Sequence, residues 1–253
     1  MTKHTLILLL VSGVMFMTGA AAQADQELIV STAASLTNGM KAVAQQFEKM
    51  NPGVRIICNF ASSGVLLHQL AKGAPADVFA AADQKTMNQA QEKKLICPET
   101  RKNFVSNQLV LIVPRDSRLA VSNLHDLTRP EFKRVALGNP ATVPAGRYAK
   151  EALVKAGLWD QLSAKFILGE TVRQVLDYVR RGEVDIGFVY STDVVIAQGK
   201  VKKILVVKGH QPIIYPIALV ASTTKPDLAR RYLEFVLSPA AQEIFSKFGF
   251  SKP

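Results

Sequence analysis

Cysteine, tryptophan and histidine are scarce in this 253-residue chain, which holds two, one and four of them respectively. Two isolated cysteines and the scattered His68, His125 and His210 offer no closely spaced ligand set, so no protein-built metal centre is expected. Cys58 stands inside an apolar stretch and Cys97 beside Pro98, an arrangement open to one disulfide or to two inert thiols. No Gly-x-Ser-x-Gly elbow occurs and no histidine stands at an arguable position beside a candidate serine, which leaves a secreted serine hydrolase as a remote alternative. Acidic residues are outnumbered, 20 against 31 basic, for a formal net charge of +11. The basic residues are dispersed, so they read as a solvated surface or a weak steering field for anions, and no nucleic-acid partner is expected.

Only one apolar run is long. Leu6 to Met17 follows Lys3 and precedes small residues, and Ala22-Gln23-Ala24 satisfies the small-x-small cleavage rule. Residues 1–24 therefore read as a signal peptide cleaved after Ala24. The run is too short for a stable membrane anchor, no later stretch reaches spanning length, and no cysteine at the cleavage site could take a lipid. A soluble exported protein is expected. Taking residues 1–24 from 253 leaves 229, with 30 basic against 20 acidic groups, or +10. That length suits one large domain or two lobes of about a hundred residues each.

Strand-like and helical periods alternate along the rest. Leu28 to Ala33, Val54 to Phe60 and Asp77 to Ala81 read as strands; Gly39 to Lys49 and Val65 to Lys72 read as helices, and Asp83 stands as N-cap of a third. After Leu109 to Pro114 the rhythm restarts: strands at Val135 to Gly138, Lys165 to Leu168 and Asp185 to Tyr190, and helices at Gly146 to Ala156 and Val172 to Arg181 closed by Gly157 and Gly182. An extended stretch, Ile213 to Val220, leads into two terminal helices. The pattern predicts an α/β protein of two lobes, each a mostly parallel sheet flanked by helices, joined by two hinge crossings. The Leu109 and Ile213 strands are read as those crossings. Lobe 1 would then comprise 25–112 and 215–253, lobe 2 would comprise 113–214, and the site would lie in the cleft between them.

Four strand-to-helix turns carry the chemistry. Ala33-Ala34-Ser35-Leu36-Thr37-Asn38 and Phe60-Ala61-Ser62-Ser63-Gly64 each put a serine where a helix exposes unpaired N–H groups and the positive end of its dipole. In Thr142-Val143-Pro144-Ala145-Gly146-Arg147-Tyr148, Pro144 suits the first helical position and frees the N–H of Ala145. In Gly169-Glu170-Thr171-Val172-Arg173, Thr171 is the expected N-cap and Val172 supplies the next free N–H. Tyr190 ends a strand and could bring a phenol into the cleft. Arg147 and Arg173 read chiefly as exposed on helix faces, with a bridge between lobes as the lesser reading.

Those runs, with Gly73-Ala74-Pro75-Ala76-Asp77-Val78-Phe79 and Gly187-Phe188-Val189-Tyr190, resemble over the whole exported chain the periplasmic molybdate-binding proteins of ABC importers, members of the type II solute-binding fold. The resemblance implies an oxyanion held by the hydroxyls of Ser35 and Ser63, by N–H groups at Ser35, Ser63, Ala145 and Val172, and by the phenol of Tyr190. It implies molybdate or tungstate as ligand with no cofactor, molybdenum bound only as the oxyanion, a monomer in the periplasm, and an inner-membrane ABC permease as partner. Asp77 and Asp83 look like framework residues. Thr171 stands where the family is expected to carry Asp or Asn.

The donor set narrows the ligand independently. A fully ionised tetrahedral dianion only accepts hydrogen bonds, so it suits a pocket of donors, whereas a protonated phosphate needs an acceptor for its hydrogen. Sulfate satisfies the same logic and stays as the alternative. Neutral donors also spare the desolvation of a buried lysine or arginine. The expected mechanism is docking on the serine turns followed by hinge closure of the second lobe, which creates the shape a permease recognises.

Overall fold

Strand and helix alternate from the first described residue. The computed structural model describes residues 26–253; the expected leader, 1–24, lies outside them. In chain order the first half contains β1 (Gln26–Ala33), α1 (Thr37–Met50), β2 (Val54–Ala61), α2 (Ser63–Ala71), β3 (Val78–Ala80), α3 (Gln84–Glu92) and β4 (Lys102–Asn107). Then come β5 (Leu109–Pro114), β6 (Val135–Gly138), α4 (Pro144–Lys155), α5 (Trp159–Leu162), β7 (Phe166–Gly169), α6 (Val172–Arg180), β8 (Ile186–Tyr190), α7 (Ser191–Ile196) and β9 (Val201–Val206). The chain closes with β10 (Ile213–Leu219), α8 (Pro226–Leu237) and α9 (Pro239–Lys247).

Two five-stranded sheets result, ordered β2-β1-β3-β10-β4 and β7-β6-β8-β5-β9. Each has three strands in parallel pairing, then one antiparallel strand, the first to follow a crossing of the chain between the halves, then an edge strand antiparallel to that one. The two sheets thus share one topology; the second is built from the consecutive strands β5–β9, and the first is completed only when the chain returns as β10. Helices pack on them through apolar stripes; in α6 the buried residues are Val172, Val175, Leu176 and Val179, the spacing of one helical face. Gly157 and Gly182 close α4 and α6 with φ of +72° and +70°. One buried apolar cluster continues through both sheets, from Leu28 and Val30 to Val175 and Phe188, and a second lies where α2 and α3 cover β3, around Leu66, Phe79 and Met87.

The pairing corrects the expected crossings. Leu109 stands opposite Tyr190 and Ile112 opposite Gly187, so all of β5 belongs to the second sheet, including the 109–112 segment assigned to lobe 1. Ile213 stands opposite Asn107, so β10 starts within the first sheet. A strand cannot change sheets without breaking its ladder, and the breaks fall at Gln108 and at 207–212. Two strands went unexpected, β4 (KNFVSN) and β9 (VKKILV); both are sheet edges whose polar, lysine-bearing residues blur the alternation that marks a strand. Among the described residues no helix is long and apolar enough to cross a membrane.

Candidate functional site

The carboxyl ends of β1 and β2 deliver Ser35 and Ser63 to helix starts, and both serines are buried. Ser63 opens α2, and its Oγ accepts the Ala82 N–H at 3.0 Å. Ser35 lies in the 3-10 turn before α1, and its Oγ accepts the phenol O–H of Tyr215 at 3.1 Å. Ala145 is the second residue of α4, behind Pro144. That first turn is pressed against β6: a Cβ on Gly146 would stand 1.8 Å from the Gly138 carbonyl oxygen. Val172 opens α6, and the Thr171 hydroxyl accepts the Gln174 N–H at 3.1 Å as its cap. N–H groups in a first helical turn have no intrahelical acceptor, so each start offers donors.

Contacts across the cleft draw the four turns together. Arg173, next to Val172, donates to the Ser35 carbonyl at 2.9 Å and to Asn38 Oδ1 at 3.0 Å. Gly64, next to Ser63, donates its N–H to the Thr142 carbonyl at 2.9 Å, just ahead of Ala145. A Cβ on Gly64 would sit 2.7 Å from that oxygen, so only glycine permits the approach. The Tyr190 ring lies 5.9 Å from that of Tyr215, centroid to centroid. The Tyr190 hydroxyl is buried and has no hydrogen-bond partner among the described residues. Burial raises its pKa well above the usual phenol value, which keeps it a neutral donor.

Both arginines depart from the solvated-face reading. Arg147 Nε donates to Asp83 Oδ2 at 2.7 Å and Nη2 to Thr86 Oγ1 at 2.7 Å, while Asp83 Oδ1 caps α3 through the Thr86 N–H at 3.0 Å. Arg173 Nε stands 3.0 Å from Asp193 Oδ1, and Asp193 Oδ2 accepts the Tyr190 N–H at 2.9 Å. The side chains of Arg147 and Arg173 are only 13% and 20% exposed. A single helix gives no hint of this, because the acceptors lie on other elements: Asp83, Thr86, Ser35 and Asn38 in the facing half, and Asp193 in α7 of the same half. Asp83 therefore does more than cap a helix. Asp193 had no sequence signal; burial holds its carboxyl above the usual carboxylate range, against the pull of Arg173 and the Tyr190 N–H. Tyr215 and Asn107 were also missed, since a tyrosine in an apolar strand reads as core and an asparagine at a strand end reads as a turn. Cys58 and Cys97 are free thiols, and burial with the nearby Glu48 raises the Cys58 thiol to about 11.

Two sheets of one topology joined by two crossings, with helix starts from both halves held together beside buried hydroxyls, define a cleft receptor for a small solute. Residues 28–251 match the family described as bacterial extracellular solute-binding protein, and the chain belongs to that family. Among its relatives, the molybdate-binding protein ModA of Haemophilus influenzae is 38% identical over 96% of this chain and 95% of its own. ModA of Escherichia coli is 39% identical over 92% of each chain. A solved substrate-binding domain of a putative molybdenum ABC transporter from Clostridium difficile superposes with a TM-score of 0.69 at 37% identity, covering 90% of this chain and 99% of that one. The relatives are solute-binding proteins and not enzymes, which disposes of the serine hydrolase alternative.

Proposed function

We propose that the chain is a periplasmic receptor that binds molybdate, and tungstate with it, and delivers it as a monomer to an ABC permease for import. Ser35, Ser63, Ala145, Val172 and Tyr190 form the shell. The observation that carries this reading is the Tyr190 hydroxyl, buried without a protein partner beside Tyr215. A buried donor left unpaired costs about 1–3 kcal/mol, a cost that an anion removes by accepting its hydrogen. Molybdate as the particular anion is supported by the two ModA relatives.

The rest of the surroundings suits a dianion. Arg147 and Arg173 are matched by Asp83 and Asp193, so the arginines leave the ligand to neutral hydroxyls and N–H groups, while Arg147 through Asp83 and Arg173 through the Ser35 carbonyl and Asn38 tie the halves together. Closure would turn about Gln108 and 207–212, moving 109–206 against the rest. Calorimetric titration of the purified protein with molybdate, tungstate, sulfate and phosphate tests the assignment: molybdate and tungstate are expected to bind tightest. Sulfate binding as tightly as molybdate would overturn it. N-terminal sequencing of the exported form should begin at Asp25.

A further inference from the structure

The hydroxyl of Ser35 has its polarity dictated from behind. Asn107, the last residue of β4, accepts the Gln108 N–H at 2.9 Å and the Ser191 hydroxyl at 3.1 Å through one side-chain atom. A backbone N–H can only donate, so that atom is the amide oxygen and the other is the NH2 group. The NH2 donates to Thr192 Oγ1 at 3.0 Å and to the phenolic oxygen of Tyr215 at 3.2 Å. Receiving a hydrogen there, the phenol directs its own to Ser35 Oγ at 3.1 Å. Ser35 then has to turn its hydrogen away from Tyr215. Ser63 is constrained in the same sense, because its Oγ accepts the Ala82 N–H.

We propose that Tyr215, aligned by Asn107, is a positioning residue that sets specificity: it makes the Ser35 hydroxyl donate, so that the site takes a fully deprotonated tetrahedral dianion and rejects one still carrying a hydrogen. This rests on the oxyanion reading above. Hydrogenarsenate has the same charge and shape class as molybdate, but its O–H needs an acceptor. Facing donors alone, that hydrogen is buried unpaired and a donor is turned against it, which is how a polar site rejects a near-isostere.

Tyr215→Phe removes the phenol oxygen and keeps the ring that packs on Tyr190 and Phe250 at 5.9 and 5.6 Å. Ser35 can then rotate and offer a lone pair. Asn107→Asp puts an acceptor opposite the phenol and reverses its hydrogen, and the added charge weighs equally on two ligands of equal charge. Calorimetry with molybdate and with arsenate at mildly alkaline pH gives the affinity ratio for the wild type and both variants. The preference for molybdate is expected to fall about tenfold in each variant, the size of one charge-assisted hydrogen bond. Should Tyr215→Phe fail to fold, the Asp variant carries the comparison alone. Equal loss of both ligands, with the ratio unchanged, overturns the proposal and leaves the oxyanion reading intact. Absence of molybdate binding by the wild type overturns both.

Discussion

Ser35 and Ser63 bear the same side chain under unequal obligations. Ser63 Oγ is the acceptor for a buried backbone N–H, that of Ala82, which has a fixed direction and cannot seek another partner. Ser35 Oγ serves a phenol, whose hydrogen can rotate. Both Ser→Ala changes should weaken oxyanion binding by about 1–3 kcal/mol, and Ser63→Ala should also lose about that much stability where Ser35→Ala loses less. Calorimetry and thermal melting separate the two quantities; equal melting losses would contradict the distinction. A serine at a helix start is ordinary by itself, and these two were legible because several strand-to-helix turns with free donors occur together in one chain. Tyr215 and Asn107 were illegible because their significance is a direction of donation, fixed by Gln108 and Ser191, and sequence spacing carries no such information.

At the scale of elements, α4 shows how a first turn is aimed. Pro144 starts the helix, and the bare Cα of Gly146 lets it settle on the Gly138 carbonyl, which sets where the Ala145 N–H points. Gly146→Ala should push the helix off β6, at a cost of about 1–3 kcal/mol in stability, and weaken binding through the displaced Ala145. Paired melting curves and titrations would reveal this; an unaffected affinity would mean that Ala145 is not in the shell. The central strands and the amphipathic helices were readable because burial imposes a period on them. The edges β4 and β9 were not, since half-solvated strands with lysines keep no clean period.

For the whole molecule, two arginines of the second half reach partners of the first, and the Gly64 N–H closes a third contact on Thr142. In the joined state Arg147 matches the carboxylate of Asp83, whose side chain is 5% exposed. Removing the guanidinium strands that charge only while the halves are together; apart, water solvates it. Arg147→Gln is thus expected to weaken binding by about 2 kcal/mol or more. The ligand-free protein should become more expanded in small-angle scattering while its melting temperature changes little. An unchanged scattering profile with unchanged affinity would assign the ion pair no part in closure.

The late return of β10 bears on how the polypeptide first takes shape. β3 ends at Ala80, yet the neighbour that shields its far edge, β10, begins only at Ile213. While the protein is being synthesised, the opening sheet lacks both β10 and the β4 that pairs with it until almost everything has left the ribosome, and such distant pairings form slowly. Until then the opening half has no complete sheet to collapse into and stays threadable, a condition that a translocation pore demands of its cargo.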